Sequence, residues 1–151
     1  MASIKDRLEE DIRNTMRARN RERLDTLRFL KSQIQLAEKN ALAELDDTGV
    51  TDVIAKQAKD RRESIEMFGQ GGRSDLVEKE QAALAVLQEY MPEQMDAVAI
   101  EELARQVIAD VGATGPGDRG KVMGRIMPQV RGKADGSEVN ATVSRLLESL
   151  G

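Results

Sequence analysis

Apolar residues recur at intervals of three and four along almost the whole chain, a period that a helix can bury on one side and a strand cannot. Ile4, Leu8, Ile12 and Met16 form a first stripe, and Leu24, Leu27, Leu30, Ile34, Ala37, Ala41 and Leu45 a longer second one. Ile54, Ala58, Ile65 and Phe68 make a third, and Leu76, Ala83, Leu87 and Tyr90 a fourth. The pattern predicts an all-α fold. With one Tyr, two Phe and no Trp, the core must be built from Leu, Ile, Val, Met and Ala. A charged fraction of 33% fits solvated helix faces better than a sheet.

Turn-forming residues divide the stripes. Ser3 with Asp6 resembles a capping box, and Asn20 suits a turn in the polar stretch 17–23. Asp46-Asp47-Thr48-Gly49 reads as the end of the second helix, with Thr51 capping the third. Gly69-Gln70-Gly71-Gly72 reads as a loop and Ser74 as the cap of a fourth helix. Met91-Pro92 breaks that helix, because a residue before proline is pushed out of the helical region. A helical N-terminal domain of about four helices is therefore expected over 1–92, and a three-helix C-terminal domain over 93–151. The C-terminal helices are expected near 96–111, 118–130 and 136–149. Gly112, Gly132 and Gly151 would close them, Asp118 and Asp135 would cap the last two, and Glu138 would complete a box with Asp135. Val122, Met123, Ile126, Val130, Val139, Val143, Leu146 and Leu150 supply the expected core.

The missing residue types narrow the chemistry. No cysteine means no thiolate nucleophile and no cysteine zinc site, and no histidine removes the commonest general base and metal ligand. No carboxylate pair stands out from the charged faces. The chain is expected not to be catalytic alone and to need no cofactor or metal. No apolar run is long enough to span a membrane. The N-terminus lacks an apolar signal core, and Asp6, Glu9, Glu10 and Asp11 argue against an acid-poor transit peptide. The expectation is a cytoplasmic protein.

A net charge of −4 hides an uneven distribution. Residues 1–40 carry 10 basic and 7 acidic side chains, and residues 41–95 carry 6 and 12. From Arg119 to Lys133 there are five basic residues and no acid. Within Gly120–Asn140, Gly120, Gly124, Gly132 and Gly136 interrupt a helix-forming stretch, each at a cost of roughly 1 kcal/mol relative to alanine if helical. The run from Gly115 to Lys121 matches a phosphate-binding loop up to its last position. Val122 then stands where a magnesium-binding Ser or Thr is needed, and the segment before it is helical rather than a strand. A nucleotide loop is excluded.

Four short motifs occur in the order of a known family: G-R-S-D-L at 72–76, Y-M-P-E-Q at 90–94, G-K-V-M-G at 120–124 and G-K-A-D-G-x-x-V-N at 132–140. On these the chain resembles the YqeY family, whose C-terminal half is similar to the tail domain of the aspartyl/glutamyl-tRNA amidotransferase B subunit (the GatB/YqeY domain). The resemblance spans essentially the whole chain. It implies two helical domains and a tRNA-binding accessory module related to glutamine-dependent tRNA amidotransferase. The catalytic domains of that enzyme, a carbon–nitrogen ligase with glutamine as amido donor, are not found in these 151 residues.

On this reading Lys121, Arg125, Arg131 and Lys133 contact RNA phosphates and Asn140 hydrogen-bonds a ribose or base edge. Gly120, Gly124, Gly132 and Gly136 are either backbone anion positions near helix N-termini or simply turn and packing positions. So few aromatics favour folded RNA over stacked single strands. An amidotransferase or another protein is a further expected partner. The alternative is a helical protein–protein adaptor without RNA binding, with Leu36 and Leu42 as contacts.

Overall fold

The computed structural model describes residues 3–150, which places the Gly151 helix end outside the described residues. Among the described residues there are seven α-helices, one 3-10 turn and no strand. The helices are α1 (Ile4–Arg17), α2 (Arg21–Ala41), α3 (Asp47–Gln70), α4 (Ser74–Gln88), α5 (Ala97–Val111), α6 (Arg119–Val130) and α7 (Gly136–Glu148). The all-α expectation holds. The chain divides between Met91 and Pro92 into two compact units.

In the first unit, the stripes of α1 and α2 meet in one aliphatic core. Leu8, Ile12, Leu27, Leu30 and Ile34 are buried there with Val50 and Ile54 of α3 and Leu87 and Tyr90 from the end of α4. Ser3 accepts from the Asp6 N–H and caps α1 as its sequence suggests. The second helix ends earlier than its periodicity implies. Leu42 takes the left-handed conformation (φ 54°) that closes α2, and no glycine marks the stop. Asp46-Asp47-Thr48-Gly49 instead opens α3, with the Asp46 carboxylate accepting from the Gly49 N–H at 2.8 Å. Thr51 lies inside that helix rather than at its cap.

α3 also runs further than expected, through Gly69 to Gln70, and the chain turns at Gly72 (φ 70°). None of the residues from 59 to 82 is fully buried. Ile65, Phe68, Leu76 and Val77 are half-buried where α3 and α4 run together. The Arg61–Glu80 ion pair at 2.9 Å joins the two helices.

Two polar ties fix the ends of the first unit. The Tyr90 hydroxyl donates to the Asp11 carboxylate, and the Arg7 guanidinium lies 4.5 Å from the centre of the Tyr90 ring. Burial and the Asp11 carboxylate push the phenol well above its ordinary range. Arg23 pairs with Glu89 at 2.6 Å, so α1, α2 and the end of α4 share one cluster. At the other end, Glu38 accepts from Lys5 at 2.6 Å and from the Leu45 N–H at 2.8 Å. These partners hold the Glu38 carboxyl below its ordinary range.

The second unit is a three-helix core. Ile100, Ala104 and Val107 of α5 pack with Val122, Ile126 and Val130 of α6 and Val139, Val143, Leu146 and Leu147 of α7. Leu150, expected in the core, is 53% exposed, because α7 ends at Glu148 and Leu147 fills the stripe instead. Gly112 (φ 67°) closes α5 in the left-handed region.

Replacing Tyr90 by Phe keeps the ring under Arg7 but removes the hydrogen bond to Asp11. Urea denaturation of the first unit should register a loss of about 1.5–3 kcal/mol. An unchanged midpoint would show that the hydroxyl contributes nothing to closing this unit. For Glu38, a depressed folded pKa means stabilisation that is full above the unfolded value, about 4.3, and lost as pH falls through the folded value. The stability advantage of the unaltered chain over Glu38→Gln should therefore shrink only below about pH 4.3. An advantage independent of pH across that range would contradict the assignment.

Candidate functional site

Burial of Val122, Ile126 and Val130 along one side of α6 turns the other side to water. On that outward side lie Gly120, Lys121, Gly124, Arg125, Pro128 and Gln129, all exposed. The pairs Gly120–Gly124 and Lys121–Arg125 each sit one turn apart, so a strip of bare backbone runs beside a strip of cations. A Cβ added at Gly120 or Gly124 would have no atom within 4 Å beyond its own helix backbone and chain neighbours. Neither glycine is required by packing against another helix, and neither has a positive φ.

The other glycines have local explanations. Gly132 takes φ 77° just beyond α6, in the region that glycine occupies at least cost. The turn there is held by the Lys133 N–H donating to the Val130 carbonyl at 2.8 Å. Gly136 is the first residue of α7, and a Cβ on it would lie 3.3 Å from the Met127 methyl. Asp135 caps that helix, accepting from the Ser137 N–H and hydroxyl at 3.0 Å each. The start of α6 is different. Asp118 stands at the cap position, but its carboxylate accepts from the Thr114 N–H at 2.9 Å, and the 3-10 turn Pro116–Asp118 leads directly into the helix.

The five polar candidates separate along the helix. Lys121 and Arg125 share the outward strip, whereas Arg131 and Lys133 follow its C-terminal end, roughly 18 Å from its start. Both of these are exposed. Lys133 lines an open groove of about 640 Å³ with Glu93, Asp96 and Gln129. Asn140 is half-buried on α7, and its amide oxygen accepts from the Arg119 guanidinium at 3.1 Å, which ties α7 to the start of α6. Arg105 and Arg145, elsewhere on this unit, both pair with Glu101 and hold its carboxyl below the ordinary range. Lys121 and Arg125 make no ion pair with a described residue.

Two distant motifs meet in this unit. Gln94 donates its amide N–H to the Gly132 carbonyl at 2.9 Å, and the Met95 N–H donates to the Lys133 carbonyl at 2.9 Å. The motif at 90–94 thus braces the turn of the motif at 132–140. Sequence spacing alone gave no sign of this joint, nor of Arg119 as the partner of Asn140.

Comparison with known proteins follows the same outline. A family model described as Yqey-like protein matches residues 5–147. The chain belongs to the YqeY family. A relative from Pyrenophora tritici-repentis, named altered inheritance of mitochondria protein 41, mitochondrial, is 39% identical over 134 residues, 87% of this chain and 74% of the relative. One of the same name from Eremothecium gossypii is 34% identical over 103 residues, 68% of this chain and 56% of the relative. A glutamyl-tRNA(Gln) amidotransferase subunit of Methanococcus maripaludis is 47% identical over 49 residues, 32% of this chain but 8% of the archaeal protein. This match supports the relation of the YqeY chain to the amidotransferase tail.

The relatives also correct one expectation. Four fungal members carry a mitochondrial designation in their names, so the cytoplasmic assignment does not stand. The acids on which it rested belong to the folded α1: Glu9 pairs with Lys31 and Asp11 accepts from Tyr90. They report on a packed helix rather than on an address. No helix among the described residues is long and apolar enough to cross a membrane.

Asn140→Ala should lower the stability of the second unit by about 0.5–1 kcal/mol in chemical denaturation, with no ligand present. Unchanged stability would mean that the Arg119 bond does not brace the two helices.

Proposed function

We propose that this YqeY chain is an RNA-binding accessory module that takes folded RNA of the tRNA class through the outward face of α6. Gly124 carries this reading. It stands exposed inside a helix, with open space where a side chain would project and no backbone conformation that calls for glycine. An alanine there would stabilise the helix by about 0.5–1 kcal/mol, so the glycine is retained against local preference. A bare backbone flanked by Lys121 and Arg125 suits close approach by a phosphate backbone. The name of the archaeal relative, which contains glutamyl-tRNA(Gln) amidotransferase, supports tRNA as the class. In this reading the chain positions RNA and performs no chemistry of its own; Arg131 and Lys133 extend the contact beyond the helix end.

Gly124→Ala separates the function from the fold. The variant should be more stable by about 0.5–1 kcal/mol and bind total tRNA more weakly. Lys121→Ala and Arg125→Ala should each reduce the slope of log affinity against log salt by roughly 0.7–0.9. Gains in stability with tRNA binding and salt slope untouched in all three would sink the proposed face.

The first unit supports a second reading, a protein adaptor. Leu36 is half exposed and Leu42 is 91% exposed, the latter in a left-handed conformation that exposes an apolar side chain at a helix end. Concentration-dependent self-association, or a protein that co-purifies in the absence of RNA, would favour it over the α6 reading.

A further inference from the structure

We propose that the corner joining α1 to α2 is a second phosphate-contacting surface of the first unit, and that it binds the backbone of the same class of folded RNA. This rests on the RNA reading of α6 but uses different residues. Arg13, Arg17, Arg19 and Arg21 are all exposed, and none makes an ion pair or side-chain hydrogen bond with a described residue. From Ile12 to Arg21 there is no acid. Other cations of this unit are occupied: Lys5 by Glu38, Arg23 by Glu89, Lys31 by Glu9, Arg61 by Glu80 and Arg73 by Asp75.

Local structure does not explain the four. Arg17 lies in the last turn of α1, where a cation interacts favourably with the helix dipole, and one such residue accounts for that effect. Arg19 takes φ 57°, while the neighbouring Asn20 N–H returns to the Thr15 carbonyl at 3.3 Å. This is the place at a helix end that glycine fills at least cost. Arg21 is the first residue of α2, where the dipole disfavours a positive charge. Two of the four arginines thus stand against local backbone or electrostatic preference. Such placement is retained when the side chain serves something outside the fold.

The chemistry favours RNA over a lipid surface. A guanidinium fork matches phosphate oxygens in a bidentate geometry. An interfacial helix needs an apolar face beside its cations, and the large apolar side chain exposed at this corner is Met16, whose sulfur is met by the Arg28 guanidinium at 3.1 Å. In a chain of net charge −4, an acid-free corner attracts polyanions locally rather than coating them.

The test uses the full chain, the single variant Arg19→Gly and the triple variant Arg17→Ala/Arg19→Gly/Arg21→Ala. Each is titrated with total tRNA over a range of salt, and with vesicles of phosphatidylcholine and phosphatidylserine. Arg19→Gly should raise Tm by about 2–4 °C through relief of the backbone strain while weakening tRNA binding. The triple variant should lose about tenfold or more in affinity and flatten the salt slope by roughly 2. If the triple variant binds tRNA unchanged while Lys121→Ala/Arg125→Ala weakens binding, the corner is overturned and the α6 face survives. If the unaltered chain does not bind tRNA, both proposals fall. Vesicle binding that the triple variant abolishes, with tRNA binding intact, overturns the corner in favour of a membrane contact.

Discussion

Burial of Val122, Ile126 and Val130 decides what the second unit can offer to a partner. Three fully buried β-branched residues on one side of a twelve-residue helix leave no freedom in its rotation. Everything not on that stripe is forced outward, including Gly120, Gly124, Lys121 and Arg125. The candidate interface is therefore a consequence of core packing rather than of a flexible loop. The same packing leaves the two glycines exposed, where a helix would gain from alanine. Stability is given up at that surface and retained in the core beneath it.

The first unit obeys the same logic with a different closure. Its aliphatic core is sealed at one end by Tyr90, the lone tyrosine of the chain, held between Asp11 and Arg7. Arg23 and Glu89 join that cluster, so a polar network fixes the end of α4 just before the break at Pro92. The far half of α3 and the start of α4 contribute nothing fully buried. With its ends tied, the unit presents two surfaces that its core does not explain: an arginine corner and a scatter of exposed apolar residues.

Most of the fold was legible because amphipathic periodicity reports burial directly. The helix ends were less so, for reasons that particular residues make plain. Asp46 and Gly49 carry turn chemistry that fits either the end of one helix or the start of the next. The true end of α2 is held by Leu42 in a left-handed conformation, which no composition rule would select. Gly69 lies inside α3, because a glycine only costs a helix and does not stop it. Asp118 occupies a cap position while its carboxylate serves Thr114. At the candidate site, the cations and glycines could be named from sequence, but their grouping could not. Lys121 with Arg125, the bond of Asn140 to Arg119 and the brace from Gln94 to Gly132 depend on three-dimensional proximity. Arg19 was hidden for the same reason as Leu42: its significance lies in its backbone, not in its type.

Membership of the YqeY family gives this geometry its context, and the mitochondrial names of fungal relatives remove a location inferred from helix composition. The function proposed here turns on whether RNA approaches the bare backbone on the outward side of α6. Amide chemical-shift mapping during titration with tRNA reads that approach residue by residue. The largest changes are expected at the Gly120 and Gly124 amides and along the outward residues between them and Gln129, with the buried side of α6 little affected. Changes confined to the exposed apolar residues of the first unit, with Gly120 and Gly124 unmoved at saturation, would rule the α6 face out.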